Sequence, residues 1–172
     1  KTCAGFALSL VSVVVWAEAA LTVRVQPNNS ALRSNIEGYI GSLGERDADA
    51  LQRYRRVAEG QAEQAAQALG YYAARISSEV SEQTPPRLTV TVEPGEPVRL
   101  RNVTVRVDGP AADLTAFRLP RDTQLRAGSV LNHGRYESAK RHIQNQASRY
   151  GFFAGRFTAQ RLEIDPQAGT AD

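Results

Sequence analysis

The side chains with the most chemical potential in this chain are two imidazoles, a pair of neighbouring carboxylates and a single thiol. His133 and His142 are nine residues apart. That spacing does not stack two ligands on one helical face, as a metal pair on a helix would require. A structural or solvated role is therefore the reading for both. Asp47 and Asp49 flank the start of a helix and suit capping better than paired acid and base work. Gly41-Ser42-Leu43-Gly44 is an isolated turn with no lysine after it. Neither a serine elbow, a phosphate loop nor a dinucleotide fingerprint is present in the sequence. Cys3 lies just ahead of the apolar run Phe6–Trp16, in the N-terminal segment before Ala20, and the chain from about Ala20 onward has no thiol for a disulfide or a thiolate metal site. The sequence therefore predicts no catalytic, metal or cofactor residues and no enzyme. What remains for function is recognition through exposed backbone, and that depends on how the elements are laid out.

Leu21-Thr22-Val23-Arg24-Val25 alternates with the period of a half-buried strand. Pro27-Asn28-Asn29-Ser30 breaks it and offers helix caps. Leu32, Ile36, Tyr39, Ile40 and Leu43 then share one helical face, which Gly41 and Gly44 close. Leu51, Tyr54, Ala58, Ala62, Ala65 and Leu69 mark a longer helix ending at Gly70, with an alanine seam narrow enough to sit close against a sheet. Arg53, Arg55, Arg56, Glu59 and Glu63 read as its solvated face. A strand over Tyr72–Val80, a turn over Ser81–Pro86 and an alternating strand over Leu88–Val92 complete the unit. The hinge Glu93-Pro94-Gly95-Glu96-Pro97 is short and stiff, because proline confines the backbone. Beyond it the sequence predicts a long strand over Val98–Val107 and a short helix around Asp113–Leu119. A helix capped at Asn132 or His133 follows, with Tyr136, Ala139, Ile143, Ala147 and Tyr150 on one stripe, and then a strand over Phe153–Ile164.

The two halves echo each other. Thr22–Val25 returns as Thr104–Val107, 82 residues on, and Leu69-Gly70-Tyr71-Tyr72-Ala73-Ala74-Arg75 returns at an offset of 81 as Tyr150-Gly151-Phe152-Phe153-Ala154-Gly155-Arg156. A repeat of this length is a small domain in tandem. The expected fold class is α+β, built of two β-α-α-β-β units. Residues 21–95 form the first unit and 96–172 the second, which lacks its last strand because Asp165–Asp172 reads only as a turn. Phe6–Trp16, followed by Ala17-Glu18-Ala19-Ala20, reads as a secretory signal over residues 1–20.

Composition adds little. The formal charge is +3, with lysine only at positions 1 and 140 and arginine supplying the other basic groups. Guanidinium forks suit carboxylate or phosphate partners. No arginine-rich run is interleaved with stacking aromatics, so nucleic acid is not an expected partner.

Three motifs in order carry a family resemblance: Ala68-Leu69-Gly70-Tyr71-Tyr72, Pro94-Gly95-Glu96-Pro97-Val98, and Gly128-Ser129-Val130-Leu131-Asn132-His133-Gly134-Arg135-Tyr136-Glu137 with Gly151-Phe152-Phe153 beyond it. With these the chain resembles the periplasmic POTRA modules of the TamA family, outer-membrane proteins of the barrel-assembly superfamily. The resemblance implies tandem POTRA modules whose last strand is central in each sheet. It also implies a C-terminal membrane barrel outside this sequence and a periplasmic location. The implied partners are a TamB-like protein anchored in the inner membrane and unfolded outer-membrane protein clients. Under that sheet order Tyr72–Val80 is an edge open to strand addition, with Tyr72, Ala73, Arg75, Ser77 and Glu79 as candidate contacts. A spacer between the membranes and a two-partner secretion module are the alternative readings.

Overall fold

A computed structural model describes residues 18–172 of the protein. The first unit runs β1 (Ala20–Val25), α1 (Ser30–Ile40), α2 (Ala48–Ala68), β2 (Arg75–Ser81) and β3 (Arg87–Glu93). Its sheet has the order β1-β3-β2, with β1 parallel and β2 antiparallel to the central β3. The element starts follow the capping chemistry of the sequence. The Asn29 side chain accepts a hydrogen bond from the Leu32 amide at 3.0 Å, and Asp47 accepts one from Ala50 at 2.7 Å. Gly41 ends α1 with φ 68°, a backbone state that glycine adopts without strain.

Both helices lie on one face of the sheet. Leu32, Ile36 and Ile40 from α1, Leu51, Ala58, Ala62 and Ala65 from α2, and Val23, Val25, Leu88, Val90 and Val92 from the strands form one core. The alanine seam expected from the sequence is buried, and Ala66 joins it.

The secretory signal expected over residues 1–20 falls almost wholly outside the described residues. Its last positions are used by the fold: Ala19 is buried in the core, its amide donates to the Gly44 carbonyl, and Ala20 opens β1.

The second unit repeats the topology with less regular structure. It contains β4 (Arg99–Leu100), α3 (His133–Arg149), β5 (Ile164–Asp165) and β6 (Thr170–Ala171), in the sheet order β4-β6-β5. β6 is again central, parallel to β4 and antiparallel to β5. The last strand of this unit therefore starts inside Asp165–Asp172, at Thr170, rather than after it. The turn expected there narrows to Pro166–Gly169.

Two long strands expected from periodicity shrink to short ones. Val98–Val107 is a strand only at Arg99–Leu100, and Phe153–Ile164 only at its final residue, where β5 begins. The reason is pairing. An extended segment becomes a strand through its ladder, and the two-residue β6 provides partners for two residues on each side. Between β4 and α3, the helix expected around Asp113–Leu119 is replaced by single 3-10 turns, among them Gly109–Ala111 and Thr115–Phe117. Pro110 and Pro120 bracket too few residues to repay helix nucleation. α3 does start as expected, with the Asn132 side chain accepting from the Arg135 amide at 3.0 Å.

Candidate functional site

Ladder parity decides which backbone groups of the first sheet face outward. The Ala20 amide donates to the Pro86 carbonyl and the Gln26 amide to that of Val92, both at 2.9 Å. The main-chain groups of Leu88, Val90 and Val92 therefore point at β1. Successive residues of a strand alternate direction, so Arg87, Thr89, Thr91 and Glu93 point at β2. Their partners Ser81, Glu79, Ser77 and Arg75 are accordingly engaged with β3. The residues between them, Ile76, Ser78 and Val80, turn their N–H and C=O groups away from the sheet. This is the open edge.

The five contact residues expected from the sequence divide around that edge. Arg75, Ser77 and Glu79 lie on β2 with exposed side chains, but their backbone groups face β3. Ala73 and Tyr72 precede the strand, and Tyr72 faces the second unit. Its side chain packs with Val98, Leu100, Leu131 and Ala171, the small core of that unit. Its hydroxyl lies 2.6 Å from Nε2 of His133, and partial burial holds the phenol pKa above its ordinary value. The adjacent Tyr71 goes the other way, into the first core, where its hydroxyl accepts from the Asn29 amide group at 2.9 Å. Gly70 makes the division possible. Its φ is 91°, and a Cβ there would stand 2.5 Å from the Leu131 carbonyl oxygen. Its own carbonyl accepts from Val98 at 2.8 Å, tying the end of α2 to the start of the second unit.

One group at the β2 edge was not legible as a site from sequence. On β2 the side chains of Ile76, Ser78 and Val80 point toward α2, and the middle one is polar yet 3% exposed. Ser78 lies in register with Val90, whose other neighbour is Val23, so a hydroxyl stands in an otherwise aliphatic row. Such a buried hydroxyl requires partners, and α2 supplies them. The Ser78 hydroxyl donates to the Glu59 carboxylate at 2.6 Å, and Arg55 Nε donates to the same hydroxyl at 3.1 Å. The second arm of the guanidinium, Nη2, donates to the Ser78 backbone carbonyl at 2.5 Å. Arg55 and Glu59 are one helical turn apart, with 3.9 Å between charged atoms. Reading these residues only as a solvated face missed them. The available signal was the serine between Ile76 and Val80, opposite an Arg and Glu at helical spacing.

Residues 22–94, which span β1 to the linker, match the family described as POTRA domain, TamA domain 1. Their β-α-α-β-β order is that of a POTRA domain. Over a longer stretch the chain is similar to solved structures of POTRA domains. One is POTRA1-3 of the periplasmic domain of Omp85 from Anabaena, with 15% identity, a TM-score of 0.38 and coverage of 89% of this chain and 58% of that one. Another is Haemophilus influenzae BamA POTRA3-5, with 18% identity, a TM-score of 0.40 and coverage of 90% and 57%. The two-domain Anabaena fragment, POTRA1-2, is matched at 14% identity and a TM-score of 0.38, with 90% of each chain covered. The chain thus spans 58% of the length of the three-domain Anabaena structure.

Proposed function

We propose that this chain is the periplasmic POTRA region of a TamA-like outer-membrane assembly or translocation factor, and that it receives partner proteins by strand addition at the β2 edge of its first unit. The observation that carries the reading is the outward set of backbone groups on Ile76, Ser78 and Val80, in the unit whose sequence matches the POTRA family. An extended segment laid against them would gain main-chain hydrogen bonds without a demand on its sequence, which suits recognition of varied unfolded chains. The clients in this reading are unfolded barrel precursors, and the membrane-side partner is a TamB-like protein.

A photo-crosslinker at Ser77, whose side chain is exposed on β2, tests the proposal. With an unfolded outer-membrane barrel precursor, adducts should form there, and amide exchange at Ile76, Ser78 and Val80 should slow. Normal exchange at those amides with no adduct would overturn it.

The junction supports a second reading, in which the two units also act as a fixed-angle spacer. Tyr72 sits in the second core and the Gly70 carbonyl holds Val98, so the linker is not the only connection between them.

A further inference from the structure

We infer that Arg55 is a latch on the β2 edge, occupying with its guanidinium the Ser78 carbonyl that an incoming strand must use. The inference rests on strand docking at this edge, and it adds a residue that controls docking. Three facts combine. First, the Ser78 backbone faces outward, at the middle of the Ile76, Ser78, Val80 set. Second, its carbonyl is already taken by Arg55 Nη2 at 2.5 Å, while the outward groups of Ile76 and Val80 have no partner among the described residues. Third, the guanidinium is held from behind. Its Nε donates to the Ser78 hydroxyl, and Glu59 accepts from that hydroxyl while standing beside the charge.

This geometry does more than blunt an edge with charge. A surface arginine pointing past a strand would repel cations and leave the ladder groups free. Here the cation is itself a ladder partner, and it sits on a single acceptor. A docking strand offers a neutral amide for that acceptor, whereas the guanidinium offers a charge-assisted bond. The strand therefore binds only if the pairs formed at Ile76 and Val80 outweigh the exchange at Ser78. Segments too short to reach both flanking residues are rejected, and longer extended segments are accepted. The buried serine acquires a reason as well. A valine at position 78 would complete the aliphatic row but leave nothing to orient Nε, and the latch would swing free.

The test uses the whole chain and a synthetic peptide with the sequence of Arg87–Glu93, the strand that already pairs with the inner side of β2. Amide exchange is read at Ile76, Ser78 and Val80 as the peptide is titrated. Arg55→Ala should bind about tenfold more tightly than the parent, as expected for release of one charge-assisted hydrogen bond. Arg55→Lys, which keeps a charged donor group but not the planar fork that reaches the Ser78 hydroxyl and carbonyl together, should fall between them. Equal or weaker binding by both variants, with protection still seen at the three amides, would overturn the latch and leave edge docking intact. No protection at those amides in any variant would remove the docking reading itself. Exchange at Ser77 and Glu79, whose amides face β3, reports whether β2 is still formed. Should Arg55→Ala loosen it, Arg55→Lys decides.

Discussion

Gly70-Tyr71-Tyr72 and Gly151-Phe152-Phe153 stand at the same place in the two units, each at the end of the long helix, and they have different surroundings. Both glycines have positive φ, 91° and 79°. In both pairs the first aromatic turns inward: Tyr71 joins the first core, and Phe152 meets Phe117 edge-on at 6.0 Å. The second aromatics part company. Tyr72 enters the core of the unit that follows, whereas Phe153 is 84% exposed. Likewise a Cβ on Gly70 would strike the Leu131 carbonyl, while one on Gly151 would meet nothing within 4 Å. The same local sequence thus makes a bare turn in one setting and a domain junction in the other. What the turn does is fixed by what packs against it.

Substitutions at paired positions should pull the two sites apart most strongly at the glycines. Gly70→Ala combines left-handed strain with a backbone clash and should cost about 3 kcal/mol. Gly151→Ala carries the strain alone and should cost about 1 kcal/mol. Urea unfolding followed through second-unit amides measures both, and equal losses would mean that the Leu131 approach is not a constraint. Next in size, Tyr72→Ala should destabilise the second unit by about 2 kcal/mol, below the full-burial range because the ring is only partly covered. Phe153→Ala should stay within about 0.5 kcal/mol of the parent. If the two were indistinguishable, the junction would not depend on the tyrosine.

The paired helices and the first sheet were readable because each carries its own signal: caps at Asn29, Asp47 and Asn132, stripes at helical spacing, and alternation in β1 and β3. The edge was readable as an element but not as a set of atoms. The sheet order implied by the family resemblance names a strand and the residues along it, so it pointed to Ser77 and Glu79. Which main-chain groups are free depends on the register with β3 and on which side β1 lies, and those are facts of pairing between distant segments. Tyr72 was misplaced for the same reason. Nothing local distinguishes it from Tyr71, and the difference arises only where Val98 and Leu131 arrive.

Smaller effects refine the same contrast. Tyr72→Phe removes the phenol's bond to His133 and keeps the ring, so it should cost about 1 kcal/mol. Burial raises the Tyr72 pKa, so the neutral phenol is favoured in the folded state. Its contribution is complete below the unfolded value near 10.0 and is lost as pH rises through the folded one. Second-unit stability in urea should therefore fall as pH rises into strong alkali, and Tyr72→Phe should lack that step. The smallest effect lies at Asp172, whose carboxylate accepts from Arg101 and Asn102 and is held below its ordinary pKa of 3.8. That contribution is present above the ordinary value and is lost as pH falls through the depressed one. Acid titration of Asp172→Asn should lack this slight loosening beside β6, where the parent shows it.

The neighbouring rings of Tyr71 and Tyr72 also bear on how the molecule can be divided. Along the chain the natural cut is at Pro94–Pro97, but by core membership the line passes between residues 71 and 72. A fragment ending at Gly95 keeps an aromatic ring that has lost its cover, and a fragment starting at Glu96 has a hole where that ring belonged. A chimera that grafts another unit onto residues 18–95 must therefore bring its own equivalents of Val98 and Leu131, or replace Tyr72 with a residue that tolerates water.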